Sequence, residues 1–153
     1  MNVYDDKLKK FIEEKKLKTE FFRFEESCHS VKDAAQRINA EKNDLVKNIC
    51  FFSSDGGTIV AIIRGNDGVS VSKIKNIIGK DVKMMNSEEI LEKTGYPCGG
   101  VPSFGFDAKF LIDKKIMEKE FVYTSGGSEN SLIKINTREL QKANNGLIVN
   151  IRK

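Results

Sequence analysis

Lys47 and Asn48 stand inside an otherwise apolar run, Leu45-Val46-Lys47-Asn48-Ile49-Cys50-Phe51-Phe52, whose length and residue types predict a buried β-strand. Alternation places Lys47 on one face with Leu45, Ile49 and Phe51, and Asn48 on the other with Val46, Cys50 and Phe52. An ammonium group on such a strand must be paired, shifted in pKa or set at the lip of a cavity, which makes Lys47 a candidate site residue. The structural alternative is a lysine whose stem lies along apolar surface while its head reaches solvent.

Two glycine loops form the second constellation. From Gly95 to Gly105 the chain reads Gly-Tyr-Pro-Cys-Gly-Gly-Val-Pro-Ser-Phe-Gly and holds both prolines of the protein. Ser125-Gly126-Gly127-Ser128 is the other. Backbone without a Cβ approaches a ligand closely and turns N–H groups toward one point, so the pair could wall a pocket and steady a developing oxyanion. Neither loop has the spacing of a nucleotide P-loop or of a dinucleotide fold. For Gly126-Gly127 a plain hairpin turn is the competing reading.

His29 is the single histidine, beside Cys28. A thiol nucleophile would need Cys50 or Cys98 against this imidazole, a pairing nothing in the spacing supports. Three widely spaced cysteines without a Cys-x-x-Cys pair argue against a disulfide framework and a zinc site, leaving reduced thiols and no metal. No carboxylate pair, His-Glu-x-x-His or Gly-x-Ser-x-Gly motif is present.

The elements that must position these residues follow from periodicity. Asp5 to Leu17 reads as an amphipathic helix, Phe21 to Phe24 as a short strand, and a helix capped by Ser30 carries Ala34, Ala35 and Ile38 on one face. Asp55-Gly56-Gly57 links the Lys47 strand to Thr58–Ile63 as an antiparallel hairpin. Helices capped by Ser72, Ser87 and Thr137 alternate irregularly with strands at 82–85, 110–112, 121–123, 131–135 and 147–149. The expected fold is α+β, with a mixed, strongly curved, barrel-like sheet flanked by helices. The 153 residues fit a single domain spanning 1–153.

Composition narrows the setting. Hydrophobic residues make up 39% and charged residues 31%, no apolar run reaches bilayer length, and no signal peptide opens the chain. A soluble, cytoplasmic protein without a membrane partner is expected. The net charge of +4, from 26 basic against 22 acidic residues, permits an anionic partner without marking a dedicated nucleic-acid coat protein.

The order of these parts is the most specific signal: His29 and the Ala34-Ala35 helix, the Lys47-Asn48 strand, Gly95-Tyr96 with Gly99-Gly100-Val101-Pro102, then Gly126-Gly127. From about Thr19 to Ile151 this resembles the YbaK family, the editing domain associated with prolyl-tRNA synthetases and its free-standing relatives. The resemblance implies an aminoacyl-tRNA deacylase that hydrolyses the ester of a mischarged tRNA, most simply tRNA-Pro carrying Cys, Ala, Ser or Thr. Such editing exists because a synthetase pocket cannot strongly reject similar or smaller amino acids. It implies Lys47 as the essential cation and Asn48 as a neighbouring polar contact. Gly99, Gly100, Val101 and Pro102 would form one pocket wall, Gly126, Gly127 and Ser128 a second, and His29 would be a further pocket residue. With no synthetase region attached, a free-standing, trans-acting editor is expected, with mischarged tRNA and an aminoacyl-tRNA synthetase as partners. Relatives that clear alanine carry a histidine in the last loop, where this chain reads Ser128-Glu129-Asn130-Ser131, so the amino acid stays open. A noncatalytic module of the same fold, binding tRNA or a synthetase, is the alternative.

Overall fold

A computed structural model describes residues 2–25 and 31–153. The N-terminal helix α1 (Val3–Glu14) starts where the Asn2 carboxamide accepts hydrogen bonds from the N–H groups of Tyr4 and Asp5, and it buries Asp5, Leu8 and Ile12. Then follow β1 (Thr19–Arg23), α2 (Val31–Arg37), β2 (Val46–Ser53), β3 (Thr58–Arg64), α3 (Val71–Ile78), β4 (Val82–Met84) and α4 (Ser87–Thr94). The chain closes with β5 (Lys109–Asp113), β6 (Phe121–Ser125), β7 (Ser131–Asn136), α5 (Thr137–Asn144) and β8 (Leu147–Val149).

Three helix starts differ from the sequence reading. Ser70, Asn86 and Asn136, rather than Ser72, Ser87 and Thr137, supply the capping oxygens. Each expected cap lies one or two residues inside the helix, since a side chain caps only from the extended residue before the first turn. The Ser30 cap expected for α2 lies outside the described residues.

The strands form two sheets, not one curved barrel-like sheet. β1, β7 and β6 make a three-stranded antiparallel sheet in that order, and β4-β2-β3-β5-β8 a five-stranded mixed sheet. In the larger sheet β2 pairs antiparallel with β3 and β4, whereas β3, β5 and β8 run parallel. A bridge between Leu45 and Tyr123 touches the two sheets together where β2 begins. Beyond that bridge β2 pairs with β3 along its length and with β4 from Phe51 onward, and among the described residues no ladder joins it to β6.

The main core fills the space between the sheets. Val46, Cys50 and Ile62 meet Val122, Ile133 and Ile135, with Leu8 and Ile12 of α1 covering one end. On the far face of the larger sheet, Phe51, Ile59, Ala61 and Ile63 pack with Ile74 of α3. Burial on both faces is why β2 and β3 read as continuous apolar runs rather than alternating ones. Among the described residues no helix is long and apolar enough to cross a membrane.

Candidate functional site

Lys47 and Asn48 leave β2 on opposite faces, and each is fixed by a different partner. Lys47 is half-buried, and its Nζ donates to the backbone carbonyl of Asp67 in the turn after β3. That turn is clamped by Arg64, whose Nε and Nη2 donate to the Asp67 carboxylate at 2.7 and 3.2 Å. The Arg64 hydrogen bonds hold the Asp67 carboxyl below the usual carboxylate range. An ammonium has three donors, so one hydrogen bond to Asp67 leaves capacity for a ligand.

Asn48 faces the core. Its Nδ2 donates to the Val101 carbonyl at 2.9 Å and to Thr124 Oγ1 at 3.0 Å, while its Oδ1 accepts from Ser103 Oγ at 2.7 Å. Ser103 and Thr124 are fully buried and their hydroxyls lie 2.9 Å apart. A satisfied buried network of this kind fixes one geometry, because each member left unpaired would be costly. Asn48 thereby ties the 95–105 loop to both sheets.

The two glycine loops interlock. A Cβ on Gly100 would lie 2.7 Å from the Gly127 carbonyl oxygen and from the Ser128 Cα, a contact only glycine allows. The Gly100 N–H donates to the Pro97 carbonyl at 2.9 Å, so it is engaged within its own turn. Gly127, at φ +113°, sits where a Cβ would strike the Tyr4 carbonyl at 2.7 Å. The second loop is thus a hairpin connection between β6 and β7 and also a packing surface for α1. Ser131 Oγ carries that packing inward, donating to the fully buried Asp5 at 2.8 Å, and Arg23 holds the other oxygen of the same carboxylate at 3.0 Å.

These parts surround one cleft of about 280 Å³, at the lower end of ordinary ligand pockets. Ala34, Leu45, Ile90, Val101 and Leu132 supply its apolar walls. Lys47, Asn48, Ser125, Ser128, Glu129 and Ser131 supply its polar ones, and Gly99 and Cys98 lie at its side. Of the residues picked from sequence, Lys47, Asn48, Gly99, Val101 and Ser128 line it. Gly100, Pro102, Gly126 and Gly127 are buried and support the loops from behind. His29 lies outside the described residues.

Asp5, Thr124 and Glu129 carry no functional signal in the sequence. Asp5 reads as an ordinary acid in the first turn of an exposed helix, and its partner Ser131 is 126 positions away. Thr124 is a small hydroxyl residue whose partners Asn48 and Ser103 are 76 and 21 positions away.

The cleft chemistry has no nucleophile–base pair among the described residues. Burial, with a smaller contribution from Cys98, pushes the Cys50 thiol up to about 12, which keeps it protonated and inert at neutral pH. What the arrangement offers is a cation, hydroxyls and backbone around a small space. That suits attack by water on an ester already activated for hydrolysis.

Known proteins resemble this chain along most of its length. The model of the aminoacyl-tRNA editing domain matches residues 25–143. The uncharacterized protein YwhH of Bacillus subtilis is 28% identical over 78% of this chain and 77% of its own. A protein of Enterococcus faecalis, EbsC, named as a candidate Cys-tRNA(Pro)/Cys-tRNA(Cys) deacylase, is 23% identical over 85% of this chain and 81% of its own. The proline–tRNA ligase of Geotalea daltonii is 30% identical over 70% of this chain, which spans only 19% of that enzyme. Among solved structures, a hypothetical protein superposes with a TM-score of 0.90 at 26% identity, covering 96% of this chain and 99% of that one. A candidate trans-editing enzyme for prolyl tRNA synthetase gives 0.91 at 22% identity over 100% and 99% of the two chains, a likeness of fold. With the Lys47 strand and both glycine loops meeting at one cleft inside the matched region, the chain belongs to the aminoacyl-tRNA editing domain family, hydrolases that clear misplaced amino acids from tRNA.

Proposed function

We propose that this protein acts in trans as a deacylase of mischarged tRNA-Pro carrying a small amino acid such as Cys, Ala, Ser or Thr. The observation that carries the reading is the convergence of Lys47 and the two interlocked glycine loops on one cleft of about 280 Å³. Water attacks the ester carbonyl, negative charge gathers on its oxygen, and the bond to the ribose oxygen breaks as that oxygen takes a proton. The Lys47 ammonium, oriented by Asp67, stabilises the developing charge, a contribution worth most in a site that excludes water. Asn48 acts through the 95–105 loop rather than by touching substrate. The small volume, bounded by Val101, Leu132 and Ile90, selects short side chains.

The test is release of amino acid from tRNA-Pro charged with Cys, Ala, Ser or Thr. At least one is cleared by the wild-type protein, and Lys47→Ala lowers the rate about 100-fold or more with an unchanged unfolding curve. Binding of the whole panel without release would instead favour a noncatalytic module. Wild-type rates in Lys47→Ala would remove the lysine from the chemistry.

A further inference from the structure

We infer that Glu129 forms a recognition site for the α-ammonium group of the amino acid, so that the cleft accepts esters with a free amine and excludes N-acylated ones. The inference rests on the deacylase reading and names the part of the substrate that the cleft reads.

Among the described residues lining the cleft, only Lys47 and Glu129 carry formal charge. They come from different elements, Lys47 from β2 and Glu129 from the loop between β6 and β7. An aminoacyl ester carries two groups that call for opposite charges, a carbonyl oxygen that becomes negative during hydrolysis and, one carbon away, a positive α-ammonium. Lys47 suits the first and repels the second, so the amine needs a separate acceptor. Glu129 is a carboxylate, which accepts only and bonds an ammonium with a charge-assisted hydrogen bond.

The carboxylate is also placed. Its stem lies over Gly99, where a Cβ would fall 2.9 Å from Glu129 Oε1 and 3.0 Å from its Cγ. Gly99, at φ +89°, leaves open the space in which the carboxylate sits. The Ser125 hydroxyl, donating to the Gly99 carbonyl at 3.4 Å, ties that residue to the same wall. Glu129 itself is exposed, so Glu129→Gln removes the charge without disturbing the core.

Binding of a non-hydrolysable probe separates this proposal from turnover. The probe is the alanyl amide of 3′-amino-3′-deoxyadenosine, compared with its N-acetyl form. The free amine binds the wild-type protein about tenfold tighter than the acetylated form, the size of one charge-assisted contact. In Glu129→Gln that ratio falls to near one while affinity for the acetylated probe is unchanged. A ratio that survives in Glu129→Gln, or an equal loss of affinity for both probes, overturns the proposal. Selective binding that collapses in Glu129→Gln, together with no release from any mischarged tRNA, supports the amine site and counts against hydrolysis alone.

Discussion

Ser131 Oγ donates to Asp5 Oδ1 at 2.8 Å, so the wall of the cleft is braced by the first turn of the N-terminal helix. That helix precedes the region matched by the editing-domain family. The carboxylate is fully buried and bonded on its other oxygen by Arg23. Asp5→Ala leaves Ser131 without this acceptor and Arg23 with only the longer ion pair to Asp6 at 3.9 Å, and lowers stability by about 1–3 kcal/mol in urea unfolding. Deacylation falls with it, because Ser131 also contacts Ser128 at the cleft. Asp5→Asn, which keeps the acceptor oxygen, loses less of both.

Gly100 tests the interlocking of the loops. In Gly100→Ala the new methyl group meets the backbone of Gly127 and Ser128 at 2.7 Å, and backbone cannot swing aside as a side chain does. Stability drops by about 1–3 kcal/mol and deacylation by more than about tenfold, since both cleft walls move. Gly56→Ala is the control. Its Cβ meets nothing within 4 Å but sits at φ +89°, so it costs about 1–2 kcal/mol and leaves the rate per folded molecule unchanged.

Much of this was legible in the sequence. The Lys47 strand, its hairpin with β3, and the glycine stops after α3 and α4 followed from residue type and spacing, because local turns and caps are short-range chemistry. The closing of the sheets was not legible. Whether β6 joins β2 along its length or only through Leu45 and Tyr123 is a matter of long-range pairing between segments about 75 residues apart, which no local signal sets. Asn48 was placed correctly on the face opposite Lys47, but its role as a tie to Val101, Ser103 and Thr124 requires three long-range partners. The same holds for Asp5, whose type marks it as surface until Ser131 arrives.

Among the described residues, Cys98 and Cys50 separate by reactivity. Cys98 is exposed and lines the cleft, whereas Cys50 is buried with its thiol raised to about 12. Only the thiolate alkylates. At pH 8, iodoacetamide followed by peptide mapping labels Cys98 and spares Cys50 in the folded protein. Labelling inactivates by filling the cleft. Cys98→Ser stays active and resists inactivation through this site; an inactive Cys98→Ser would instead point to a thiol mechanism.

The Arg64–Asp67 clamp gives a pH signature tied to Lys47. Arg64 lowers the Asp67 pKa in the folded protein, so the folded state holds the proton less tightly than the unfolded chain, whose value is about 3.9. The stabilisation is therefore present above about pH 4 and is lost as pH falls through the lower folded value. Asp67→Asn removes this dependence. Between pH 5 and 2 the wild-type unfolding midpoint declines more steeply than that of Asp67→Asn, and equal slopes would deny the clamp any share in stability. At neutral pH the variant keeps its backbone carbonyl for Lys47 but loses the Arg64 ion pair that fixes the turn. Its kcat falls severalfold with little change in KM, the pattern of a cation less well placed in the transition state.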